Sequence, residues 1–222
     1  MEAPSTPQPI SASKADLLAT YETLRSHHPD AGIELNVVAN DPWSLLVAVV
    51  LSAQTTDQAV NRVTPGLFAA FPDVAALAQA HPEDLWPHVR TLGLYRVKSK
   101  HLVAAARIVV ATHQGQVPRT RAELEKLPGV GKKSAAVIVA NAFGEPAIAV
   151  DTHVGRVARR LGWTTATQPH KVEIELTALL PRHRLLEAHH VLIWHGRRIC
   201  HARKPQCAEC PVEAKCPKVG VF

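Results

Sequence analysis

The chain lacks any long apolar run. The longest, Leu45 to Leu51, falls far short of the ~20 residues a bilayer-crossing helix needs, so a membrane span is excluded. The opening "MEAPSTPQPISAS" has an acid, three prolines and no apolar core. It reads as a flexible tail over residues 1–13, neither a secretory leader nor an arginine-rich transit peptide. A reducing interior follows as the expected compartment: cytoplasmic, and nucleoid-associated in a bacterium. Cysteine is absent before position 200, which argues against a disulfide framework spread through the fold. Alternating apolar–polar strands and internal repeats are also missing. "PAIAV" at 146–150 is the best strand candidate and is too short to build a sheet.

What is present is helical punctuation on a basic, core-forming composition. Of 222 residues, 46% are apolar and 20% charged, enough for a substantial core and against disorder. The net charge of +6 and pI near 9.4 fit an acidic partner or a merely basic soluble protein. Ser13-x-x-Asp16 and Thr120-x-x-Glu123 are capping boxes. Asp41-Pro42 starts a helix through "WSLLVAVVLSA", apolar on every face and therefore expected to be buried. His81-Pro82-Glu83-Asp84 is another start. Lys98 to Thr112 is amphipathic. Lys132 to Phe143 is closed by Gly144, and Asp151 caps a helix that runs to Gly162. Pro169 and Leu185 open the last two. The fold class expected is all-α, with nine or ten helices.

"LPGVGKKSAA", residues 127–136, is a glycine turn at the mouth of a helix. It is not a Walker loop: five residues before Gly131 stands Lys126, and Lys133 follows Lys132. A dinucleotide fingerprint fails at Ser134. What remains is helix, turn, helix over 121–126, 128–131 and 132–143. That is either a helix-hairpin-helix clamp for DNA phosphate or a plain corner with two solvated lysines. Lys132 and Lys133 point about 100° apart on the helix. A helix N-terminus and a neighbouring cation both favour the uncharged amine, which is the nucleophilic form. Asp151, eighteen residues on in "AVDTHVGR", is either an acid/base partner or an ordinary N-cap.

The four cysteines stand at 200, 207, 210 and 216 in "CHARKPQCAECPVEAKC". The unequal loops suit an iron–sulfur cluster; zinc and free thiols stay open, although only Cys207 and Cys210 form a zinc-type knuckle. Arg203 and Lys204 make the first loop basic, suited to DNA phosphate or simply to solvent.

Taken together, "LSAQTTD" (51–57), "GLY" (93–95), "LPGVGKKSA" (127–135), "VDTHVGR" (150–156) and the cysteine loop resemble the endonuclease III family of DNA repair glycosylases. The resemblance runs from about residue 15 to the end. It implies an all-α, two-domain helix-hairpin-helix glycosylase fold with the active site in the inter-domain groove. A six-helix barrel would span 35–145, its hairpin near 121–143, and residues 14–34 with 146–222 would hold a [4Fe–4S] cluster. It implies a monomer that excises oxidised pyrimidines from damaged double-stranded DNA and then cleaves the abasic site by β-elimination. Lys133 matches the nucleophile and Asp151 the essential carboxylate. Gln54 and Leu94 match the residues that fill the gap left by the extruded nucleotide. Gly129, Val130, Gly131 and Lys132 would grip the backbone, His153 would lie near the pocket, and Arg203 and Lys204 would meet phosphate. Cys200, Cys207, Cys210 and Cys216 would ligate the cluster. The related mismatch adenine glycosylases lack a lysine at the position of Lys133.

Overall fold

The structure, a computed structural model, describes residues 13–37 and 41–221. The tail expected over 1–13 thus lies outside the described residues apart from Ser13. Helix α1 (Lys14–His27) comes first. It is followed by α2 (Pro42–Leu51), α3 (Asp57–Ala70), α4 (Val74–Gln79), α5 (Trp86–Val89), α6 (Tyr95–His113), α7 (Arg121–Leu124) and α8 (Lys132–Phe143). The last three are α9 (Thr152–Arg160), α10 (Pro169–Leu179) and α11 (Leu185–Arg198). Short 3-10 turns lie at Pro82–Leu85, Arg182–Arg184, Cys207–Glu209 and Glu213–Lys215, and no strand occurs among the described residues. No described helix is long and apolar enough to cross a membrane.

The chain forms two compact units. One is continuous, Ile33–Glu145; the other joins Met1–Gly32 to Pro146–Phe222. In the continuous unit, Asp41 starts α2 by accepting hydrogen bonds from the Trp43 and Ser44 amides at 3.0 and 3.1 Å. Residues Trp43 to Leu51 are all buried, so α2 is an axial helix, as its all-round apolar sequence predicts. It packs on α8, and α4 packs on α6.

Two differences from the sequence reading have physical causes. Helix α3 has no counterpart in that reading because Pro65 sits inside it. An interior proline removes one helical hydrogen bond at a cost of roughly 3 kcal/mol. The buried Val60, Thr64 and Leu67 face offsets that cost. The segment "PAIAV" is not a strand. Its Ala147 to Val150 are buried, and the Ala149 carbonyl meets His189 Nδ1 at 2.8 Å. It is apolar because it threads a core.

In the discontinuous unit α1 and α9 both pack on α11. The core gathers Tyr21, Leu24, Ile148, Val157, Leu176 and Leu192 with their neighbours. Polar groups converge at its edge. Tyr21, Arg25 and Arg184 all donate to the Glu187 carboxylate, at 2.7, 2.5 and 2.8 Å. Burial alone pushes Glu187 upward, but these bonds outweigh it and hold the carboxyl below its ordinary range.

Candidate functional site

The hairpin is built by Thr120, whose hydroxyl accepts from the Glu123 amide, and by a turn in which Val130 N–H bonds the Leu127 carbonyl at 3.1 Å. Gly129 takes φ +83°, a left-handed value. A Cβ there would stand 3.0 Å from the His101 side chain and 3.1 Å from Val50, so glycine is required twice over. Gly131 has ordinary backbone angles and nothing within 4 Å of where a Cβ would lie. Its surroundings are open to an approaching backbone. Val130 serves from inside: its side chain is 5% exposed and its amide is already bonded. Whatever it gives to DNA binding comes through the turn's shape.

Helix α8 begins without a side-chain cap. The termini of α2, α3, α4, α7 and α9 are capped by Asp41, Thr56, Asp73, Thr120 and Asp151. No cap side chain accepts from the first-turn amides of α8, where the positive end of the helix lies. Lys132 and Lys133 both sit on this turn and both are exposed. The roughly 100° step between the two lysines does not turn Lys133 inward: its side chain is open to solvent.

Two further predicted residues share an unusual backbone. Gln54 has φ +54° and Leu94 φ +60°, and neither is glycine. Gln54 is exposed at the third position of a turn closed by Thr55 N–H to the Ser52 carbonyl, 3.0 Å. That position favours glycine or asparagine. Leu94 is the N-cap of α6 and is 56% exposed, a large apolar side chain held out in water. Strained, exposed side chains of this kind cluster at functional sites. Beside them, Arg96 stacks on Trp86 and Tyr95, with its guanidinium carbon 5.1 and 5.6 Å from the ring centres.

In the discontinuous unit, Asp151 caps α9 through Oδ1, which accepts from Val154 N–H at 2.8 Å. The carboxylate is half-buried. Two residues on, His153 Nδ1 lies 3.2 Å from an Arg156 nitrogen. Burial pushes the His153 imidazole down against the opposing pull of Asp151, favouring the neutral ring.

The four cysteines are half-buried around one small cavity walled by Val157 and Leu161. Two arginines of α9 shape their loop. Arg156 donates to the Cys200 and Gly196 carbonyls at 3.1 and 2.8 Å. Arg160, itself buried, donates to the His201 and Ala202 carbonyls at 2.5 and 3.0 Å and reaches Cys200 Sγ at 3.4 Å. His195 Nε2 stands 3.7 Å from Cys210 Sγ. Burial pushes the Cys210 and Cys216 thiols up, so bare thiolates are disfavoured there. Among the described residues no three His, Cys, Asp or Glu side chains converge on a single-ion site. Arg203 and Lys204 are exposed at the loop tip, Lys204 with φ +52°. The arginine clamp escaped the sequence reading, since partners some forty residues away leave no local signal. So did Lys98, whose burial a surface-helix pattern conceals.

The family model described as "HhH-GPD superfamily base excision DNA repair protein" matches residues 47–182. Endonuclease III of Escherichia coli K12 is 41% identical over 169 residues, 76% of this chain and 79% of that one. Endonuclease III of Bacillus subtilis is 48% identical over 129 residues, 58% and 59% of the two chains. Among solved structures, a trapped endonuclease III–DNA covalent intermediate aligns with TM-score 0.86 at 40% identity, covering 93% of this chain and 97% of that one. A thermostable thymine-DNA glycosylase aligns at TM-score 0.79 and 23% identity, a likeness of fold. With its glycine hairpin, its lysine at the uncapped start of α8 and these relatives, the chain belongs to the endonuclease III family of the HhH-GPD superfamily of base excision DNA repair proteins.

Proposed function

We propose that this base excision DNA glycosylase and abasic-site lyase removes oxidised pyrimidines from double-stranded DNA through Lys133, acting as a monomer in the cytoplasm or on the nucleoid. The observation that carries the reading is the coincidence of two facts. An endonuclease III at 40% identity has been captured covalently on DNA, and this chain presents an exposed lysine on an uncapped helix N-terminus.

The chemistry follows from the residues. A base inside a duplex is out of reach and must be swung out; damage weakens its stacking and pairing and makes this cheaper. Gln54 and Leu94, held outward on left-handed backbone, fill the gap. The amide row of α8, with Lys132, holds backbone phosphate, and Arg203 and Lys204 hold more of it. The uncharged Lys133 amine attacks C1′ of the deoxyribose. The C1′–N bond breaks and the base departs with a proton. The nitrogen loses its proton, the sugar ring opens, and a protonated Schiff base forms. This acidifies the C2′–H; loss of that proton expels the 3′ phosphate oxygen and the strand is cut. Asp151 supports the step by balancing positive charge on the sugar or relaying a proton. The neutral His153 borders the same stretch of chain without adding a repelling cation.

The donor set of the cysteine loop fits a [4Fe–4S] cluster. Four thiols face one cavity without meeting at a point, and Arg160 offers an N–H to Cys200 Sγ. Cys200, Cys207, Cys210 and Cys216 would hold it. When bound, the cluster supplies four metal–thiolate bonds that fix the loop carrying Arg203 and Lys204. The test is strand cleavage by wild type and Lys133→Ala on duplexes bearing an oxidised pyrimidine or none. Cleavage confined to damaged duplex, and lost in the variant with DNA binding retained, is expected. Equal cleavage by both proteins would end the lysine assignment.

A further inference from the structure

Lys98 is buried, with 3% of its surface exposed, in a helix whose other lysine nearby, Lys100, is exposed. A lysine is seldom found so enclosed without a partner or a task. Its Nζ donates to Thr55 Oγ1 at 2.6 Å, forty-three residues away in the chain. The Thr55 hydroxyl in turn lies 3.3 Å from the Ala53 carbonyl and donates to it. This two-bond chain straddles Gln54. At its other end, the Lys98 backbone N–H bonds the Leu94 carbonyl at 3.0 Å, the first helical bond of α6. One residue is thereby joined to both strained positions: by its side chain to the turn holding Gln54, and by its backbone to Leu94.

Resting on the reading of Gln54 and Leu94 as gap-filling residues, we propose that Lys98 is a positioning residue that ties the Gln54 turn to the start of α6, so that the two side chains enter the duplex as one preset wedge. The physical need is clear. Each left-handed non-glycine residue costs on the order of 1–3 kcal/mol and persists only where neighbours over-determine it. The Ser52–Thr55 turn is closed by one backbone bond; its Ser52 end is tied to α2 through the Ser52 hydroxyl on the Val49 carbonyl at 2.9 Å, while at its Thr55 end the side-chain support is the Thr55 hydroxyl. A fixed donor from a rigid nineteen-residue helix supplies the missing constraint. Burial disfavours the ammonium charge, and the hydrogen bond to Thr55 remains available to either protonation state.

The experiment compares Lys98→Met, Thr55→Val and Thr55→Ser, each checked by thermal melting. Base excision is measured on a duplex with an oxidised pyrimidine, strand cleavage on a duplex with a pre-formed abasic site, and extrusion by stopped-flow fluorescence of 2-aminopurine beside the lesion. Loss of one buried hydrogen bond predicts excision and extrusion slower by about tenfold in Lys98→Met and Thr55→Val. Cleavage of the abasic duplex should stay within about twofold, and Thr55→Ser, which keeps the hydroxyl, should match wild type. Parallel losses on both substrates, or none on either, would overturn the proposal. A loss in Lys98→Met without one in Thr55→Val would overturn it too, in favour of direct DNA contact by the ammonium. Should Lys98→Met fail to fold, Thr55→Val carries the test. Failure of the broader lyase reading looks different: wild type would then leave the abasic duplex uncut.

Discussion

The two units of this chain hold their shapes by different means. The continuous unit rests on aliphatic burial, with α2 enclosed from Trp43 to Leu51, and Lys98 is the one charged side chain buried there among the described residues. The discontinuous unit buries His28, Arg160, His189, His190 and His195 and adds a cysteine loop clamped by two arginines. The first is a scaffold whose chemistry stands on its surface, at the hairpin and the two strained turns. The second adds, to an apolar core of its own, a set of buried polar contacts whose partners depend on one another. Fold stability in the first follows from apolar area, which pH barely touches. In the second it is linked to protonation and to whatever binds the thiols.

The largest effect expected separates two roles of one residue. Asp151→Asn keeps an oxygen to accept from Val154 N–H, so α9 and the melting temperature should be retained. Base excision should fall by about 10²–10⁴-fold if the carboxylate takes part in charge or proton handling. Unchanged turnover would reduce Asp151 to a cap. Next, Cys207→Ala should abolish the visible absorption expected of an iron–sulfur protein and weaken DNA binding about tenfold or more, through loss of order at Arg203 and Lys204. Hydrogen exchange should rise in the discontinuous unit and stay unchanged in α2 and α8. Exchange rising equally in both units would break the contrast.

Acid should act on the same unit. Burial holds the His190 imidazole at about 4, below its ordinary 6.5, so between these values the unfolded chain binds the extra proton. Stability must then rise with pH through this window and be lost as pH falls from 6.5 towards 4, on the order of 2–3 kcal/mol from this group. Urea midpoints at pH 7 and pH 4.5 should drop less in His190→Gln than in wild type; equal drops would contradict the assignment. Smaller still is the hairpin pair. Gly129→Ala meets His101 and Val50 at a left-handed φ and should cost about 1–3 kcal/mol. Gly131→Ala meets nothing and should leave the melting temperature alone while weakening DNA binding. A tolerated Gly129→Ala would mean that the turn is looser than its geometry.

Local rules made much of this legible beforehand. Asp41-Pro42 marked the buried α2, Thr120 and Glu123 marked the hairpin's first arm, and Gly144 closes α8 at φ +68°. These signals lie within four residues of the feature they specify. The all-α class followed from them, as did membership of the family from motifs in order. What stayed hidden depends on long-range contacts. Pro65 masked α3 because its compensation lies in burial. The left-handed Gln54 and Leu94 escaped because sequence rules reserve that backbone for glycine and asparagine. Lys98 opened an amphipathic stretch with nothing local to mark it as buried, since its partner Thr55 belongs to another turn. The His28–His195 contact at 3.1 Å spans 167 positions and leaves no local trace.

The central claim is that the Lys133 nitrogen becomes covalently joined to deoxyribose. It is tested most directly by borohydride reduction during reaction with an abasic duplex, followed by peptide mapping of the adduct. The account predicts a single cross-linked peptide modified at Lys133 and no adduct from Lys133→Ala. An adduct at another amine, or none from the wild-type protein, would contradict it.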